Sequence, residues 1–139
     1  MCYTVIDSEE GAKKMNTQGK NLKLMVVDDV EDVCEFMQSH FTRRGFQVLT
    51  AGSAEDALPV IKEQSPDIML LDVNLPQMNG IDMLKAVRQF NNTVKVIMIT
   101  GYDLDFQKDP EFQKLNVFDV MRKPVTTEAL DSNIERLLR

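Results

Sequence analysis

The chain has 139 residues, 43% of them hydrophobic, enough for one ordinary core and too few for two comfortable domains. Its 22 acidic residues outnumber 16 lysines and arginines, giving a formal charge of −6. That balance argues against a nucleic-acid surface, which needs clustered cations to displace counterions from phosphates, and no stretch approaches the run of about twenty apolar residues that a membrane helix requires.

Residues 1–21 are polar, carry two glycines and hold neither a period of two nor one of 3.6, so they read as a flexible N-terminal extension without a secretory apolar segment. From residue 22 to residue 139 the pattern is that of one domain. Five short apolar runs follow, at 24–27, 46–49, 68–71, 96–99 and 117–121, mostly without alternation, as strands buried on both faces should appear. Helical stripes lie between them. Val30, Val33, Cys34, Met37 and Phe41 form the first, Ala54, Ala57, Leu58 and Ile61 the second, and Leu130, Ile134, Leu137 and Leu138 the last.

Boundary residues agree with this division. Gly45 can end the first helix, Ser53 with Asp56 resembles a capping box, Asn79-Gly80 makes a turn, and Thr126 can cap the last helix. Five alternations of strand and helix specify parallel strands joined by right-handed crossovers, with helices on both faces of one sheet. The two cysteines, Cys2 and Cys34, have no metal-ligand spacing and suit a reducing, cytoplasmic compartment.

In such a sheet, ligands bind at the carboxyl ends of the strands. The polar residues there are Asp28 and Asp29 after the first strand, Asp72 after the third, Thr100 after the fourth, and Lys123 with Pro124 after the fifth. Each alone has an ordinary explanation, as a cap, a turn or a solvated side chain. Together they do not. Three carboxylates at one edge repel by several kcal/mol per close pair at an intermediate dielectric. A divalent cation would relieve that conflict, and hard oxygen ligands without a nearby His or Cys point to Mg²⁺ or Mn²⁺.

The segments MVVDD, DVNLPQMNG, MIT followed by GY, and RKP stand in this order, each at the end of its strand, and over residues 22–139 the chain resembles the response-regulator receiver domain of two-component signalling. The resemblance implies a doubly wound, flavodoxin-like α/β fold with strand order 2-1-3-4-5. It implies that Asp72 is the phosphoacceptor, that Asp28, Asp29 and Asp72 hold Mg²⁺ with the backbone carbonyl of Asn74, and that Thr100 and Lys123 contact the phosphoryl group. Pro124 is expected to follow a cis peptide bond. The implied phosphodonor is a sensor histidine kinase or a histidine phosphotransfer protein, with a downstream effector protein and homodimerisation on phosphorylation as further expectations. Phosphoryl transfer and slow loss would be self-catalysed, without a conventional enzymatic role.

Two departures bear on the switch. Val120 stands where the family usually has Tyr or Phe, and Phe118, two residues earlier, is expected to be ordinary core. After Thr100 the sequence GYDLDFQKDPEFQKLN is polar and contains Pro110, so the fourth helix should be short or broken, with Asp109-Pro110 starting a late turn and residues 102–108 irregular. Tyr102 could overhang the site. His40 lacks an acidic sequence neighbour and is expected on a helix surface. The rival readings are a degenerate receiver that binds partners without phosphorylation, and an aspartyl phosphohydrolase. The second would carry an Asp where this chain has Asn74.

Overall fold

The computed structural model describes residues 22–101 and 105–139, so the expected extension and Tyr102 lie outside the described residues. The elements are β1 (Lys23–Val27), α1 (Glu31–Thr42), β2 (Gln47–Ala51), α2 (Ala54–Gln64), β3 (Ile68–Asp72), α3 (Gly80–Arg88), β4 (Lys95–Thr100), a 3₁₀ turn (Asp105–Lys108), α4 (Pro110–Gln113), β5 (Asp119–Arg122) and α5 (Thr127–Leu138). All strand pairs are parallel, in the order β2-β1-β3-β4-β5. The order reverses beside β1, which places a crevice at the carboxyl ends of β1 and β3.

Both faces of the sheet are covered, which is why the strands lack polar alternation. Met25, Val27, Met69, Leu71, Val96 and Met98 face one way and pack with Ile61 of α2, Met83, Leu84 and Val87 of α3, and Phe112 of α4. Their neighbours Leu24, Val26, Ile68, Leu70, Ile97 and Ile99 face the other way, against Met37 and Phe41 of α1 and Leu130, Ile134 and Leu137 of α5. The period of two thus deals alternate residues to two cores.

Three helices begin on the expected kind of chemistry. Ser53 Oγ accepts from the Asp56 amide at 3.1 Å, Asn79 Oδ1 from the Asp82 amide at 2.9 Å, and Thr126 Oγ1 from the Ala129 amide at 3.1 Å. Removing the last cap by Thr126→Ala should cost about 1 kcal/mol, measured as a shift in the urea midpoint with an unchanged slope.

Several expectations are corrected. Asn79-Gly80 is not a free turn: Asn79 caps α3 and Gly80 is its first residue. Val30 is 47% exposed and precedes α1, so it does not belong to that helix's buried stripe. Phe118 lies outside both cores, 38% exposed, with the Arg136 guanidinium 5.2 Å above its ring. His40 is half-buried and bonded through Nε2 to Asp131 of α5 at 3.0 Å, a partner 91 residues away in sequence. The fourth helix is short, as Pro110 requires, with Asp109 capping it through the Glu111 amide at 3.0 Å. Residues 105–108, however, form a regular 3₁₀ turn, whose Phe106 meets Phe112 edge to face at 5.0 Å.

Candidate functional site

Each strand ends where its sequence turns from apolar to polar, and these ends converge. Asp28 follows β1 and is 5% exposed, Asp72 closes β3 at 2%, and Thr100 closes β4 fully buried. Asp29 is exposed. One carboxylate oxygen from each of Asp28, Asp29 and Asp72 falls within 4.8 Å of the others. Lys123, just past β5, reaches across to place Nζ 3.1 Å from Asp72 Oδ2, and its amide donates to the Thr100 carbonyl at 2.8 Å. The Lys123–Pro124 peptide is cis, as expected.

Backbone donors fix the two buried carboxylates. Asp72 Oδ1 accepts from the Asn74 amide at 2.9 Å, and Asp28 Oδ1 from the Val30 amide at 2.9 Å. Gly80 holds the acceptor loop close to the strand: its amide donates to the Val73 carbonyl at 2.8 Å, and a Cβ there would stand 2.4 Å from the Asp72 carbonyl oxygen. Only glycine permits that approach.

The electrostatics are uneven. Burial pushes the Asp28 carboxyl above its ordinary value of 3.8, against the Val30 hydrogen bond, and the Asp72 charge pushes it further, with Lys123 opposing and Asp29 adding to the repulsion. A carboxyl held above its ordinary value binds its proton more tightly in the folded chain than in the unfolded one. The metal-free fold therefore gains stability from this group as pH falls from neutral toward 3.8. Asp28→Asn should accordingly raise the melting temperature at pH 7 in chelator, and reduce the further rise on acidification, both readable by thermal denaturation.

Three features escaped the sequence. Cys34 is near the site after all: its buried thiol donates to the Asp28 carbonyl oxygen at 3.3 Å, and burial raises its pKa first, with the Asp28 charge next. It meets the main chain of Asp28 and is not one of the three clustered carboxylates. The side chain of Asn74 also acts, with Oδ1 accepting from the Gly101 amide at 3.4 Å. Val120 is half-buried and packs on the core shared with α2, α3 and α4. Neither Cys34 nor Asn74 carries a local sequence signal, because each contact joins separate strand ends.

Five parallel strands in this order, with a carboxylate trio and a lysine at their carboxyl ends, define a flavodoxin-like signalling domain. The response regulator receiver domain model matches residues 24–135, and the chain belongs to that family. Alkaline phosphatase synthesis transcriptional regulatory protein PhoP of Bacillus subtilis is 34% identical over 119 residues, 86% of this chain and 49% of that protein, so the chain spans about half of that relative. Sporulation initiation phosphotransferase F of Bacillus subtilis is 28% identical over 85% of this chain and 94% of its own length. Among solved structures, the CheX-CheY-BeF3-Mg+2 complex from Borrelia burgdorferi includes a chain matching 93% of this one at a TM-score of 0.82, with 98% of that chain covered. At 22% identity this is a likeness of fold. Among the described residues, no helix is long and apolar enough to cross a membrane.

Proposed function

We propose that the chain is a phosphorylation-driven switch whose acceptor is Asp72, charged by a histidine kinase or histidine phosphotransfer protein in the presence of Mg²⁺. The observation that carries this reading is the buried Asp72 carboxylate held between an acidic pair and the Lys123 ammonium. Folding alone gains nothing from three carboxylates within 4.8 Å, one of them already pushed toward its protonated form.

The donor set fits a hard divalent cation. Asp28, Asp29 and Asp72, with the Asn74 carbonyl, would hold Mg²⁺ or Mn²⁺, since all are oxygen donors. When bound, the ion would offset the charges of the carboxylate and the incoming phosphoryl group. Asp72 supplies the nucleophile: a carboxylate oxygen bonds to phosphorus as the donor's N–P or O–P bond breaks, and the donor leaves with the electron pair. The Asn74 amide orients that carboxylate through Oδ1, leaving Oδ2 on the Lys123 side. Lys123 then pairs with phosphoryl oxygen, and the buried Thr100 hydroxyl turns toward the new charge, drawing the chain after β4.

Beside the carboxylates, an open pocket of about 610 Å³ between α1 and α5, lined by Phe36, Met37, Pro124 and Leu130 among others, supports approach by a phosphodonor protein from that side. Half-buried Val120 rules out an aromatic rotamer change at that position, so the readout runs through Thr100 and the segment leading to α4. Homodimerisation on phosphorylation and the effector protein belong to the same proposal.

Intact-protein mass after incubation with acetyl phosphate tests it. One added phosphoryl group with Mg²⁺, and none with chelator, is expected. If neither an adduct nor fluoroberyllate binding is seen, the chain is instead a receiver-like module that binds partners without phosphorylation.

A further inference from the structure

We propose that the Asn74 side chain is a resting-state latch: its Oδ1 occupies the Gly101 amide until a phosphoryl group on Asp72 takes that donor over. The inference rests on the phosphoacceptor reading and adds a competition for one N–H. Asn74 stands two residues past Asp72, and its own amide is already committed to Asp72 Oδ1 at 2.9 Å. Its side chain therefore projects from a backbone fixed to the acceptor, and spans to the next strand end to receive Gly101 N–H at 3.4 Å. Gly101 in turn adjoins Lys123, whose Cδ would lie 3.8 Å from a Cβ built at Gly101. The Gly101 amide thus borders the space flanked by Asp72 and Lys123, where a group added to Asp72 must go.

The two acceptors are unequal. A neutral amide oxygen at 3.4 Å makes a long hydrogen bond, whereas a phosphoryl oxygen carries charge, and charge-assisted bonds are roughly twice as strong. The latch stabilises only the unphosphorylated arrangement, so it sets how much of the incoming group's interaction is spent on releasing the Gly101 segment. Gly101 is the residue through which Thr100 and β4 continue toward the 3₁₀ turn and α4. Asn74 is a positioning residue for that connection, distinct from the main-chain carbonyl proposed as a cation ligand.

The test uses the phosphoryl mimic fluoroberyllate at saturating Mg²⁺, comparing the native chain with Asn74→Ala. Removing the latch should tighten fluoroberyllate binding about fivefold, the equivalent of about 1 kcal/mol for one neutral hydrogen bond. Amide exchange at Gly101 should be faster in the Asn74→Ala chain without fluoroberyllate and return to the native rate with it. A merely structural role for Asn74 would weaken binding. Native binding with an unchanged or weaker constant for Asn74→Ala would overturn the latch alone. A native chain that neither binds fluoroberyllate nor accepts a phosphoryl group would overturn the phosphoacceptor reading, and the latch with it.

Discussion

An Asp72→Asn chain is expected to take up no phosphoryl group under conditions where the native chain takes up one. The substitution conserves shape and can keep the hydrogen bond from the Asn74 amide, but an amide oxygen lacks the carboxylate's charge and nucleophilicity. It also frees Lys123, whose side chain is 39% exposed and can turn to water at little cost. One of the charges that raise the proton affinity of Asp28 disappears at the same time. The variant should therefore melt no lower than the native chain in chelator while losing its adduct entirely, which separates lost chemistry from lost fold. Intact mass and a thermal melt on one preparation check both. An adduct on the variant would move the acceptor away from Asp72.

Gly80→Val should have the largest effect on stability. A Cβ at Gly80 would meet the Asp72 carbonyl oxygen at 2.4 Å, the Val73 Cα at 2.9 Å and the Asp72 carbonyl carbon at 3.1 Å. All three are backbone atoms of the fully buried β3 and its exit, so none can swing aside. Either α3 lifts from the sheet or the end of β3 moves, at a cost of about 3 kcal/mol or more. Because the displaced residue is Asp72 itself, the Mg²⁺-induced rise in melting temperature should shrink as well. Gly52 provides the contrast: the nearest atom to its hypothetical Cβ is the Asp28 carbonyl oxygen at 3.9 Å, an ordinary contact, so Gly52→Ala should be tolerated. Urea denaturation of both variants, with and without Mg²⁺, measures the difference.

Much of this site was legible because its residues are punctuation. Asp28, Asp72, Thr100 and Lys123 each stand where an apolar run stops, and parallel topology gathers such stops at one edge without further information. The short α4 was legible for a similar reason, since Pro110 excludes a continuous helix through it. Contacts between distant segments were not. His40 gave no hint of Asp131 because the pair exists only once α1 and α5 lie side by side. Phe118 looked like core because hydrophobic character does not reveal that its ring has left the sheet for the Arg136 guanidinium. Asn79-Gly80 was read as a turn pair because the sequence does not show how closely α3 rides on the exit of β3.

The contrast between β3 and β5 has a practical consequence. Every residue of β3 is buried, whereas β5 is partly buried at three positions and exposed at the fourth. The acceptor is thus mounted on the stiffest rail of the sheet, while its lysine counterpart hangs from the outermost and least encumbered one. A charge added at Asp72 is met by a frame that yields on one side only, so deformation is channelled outward to the sheet margin. A fluorescent or spin label at Arg122 or Phe118 should accordingly register the event, while one facing solvent on α1 should stay nearly silent.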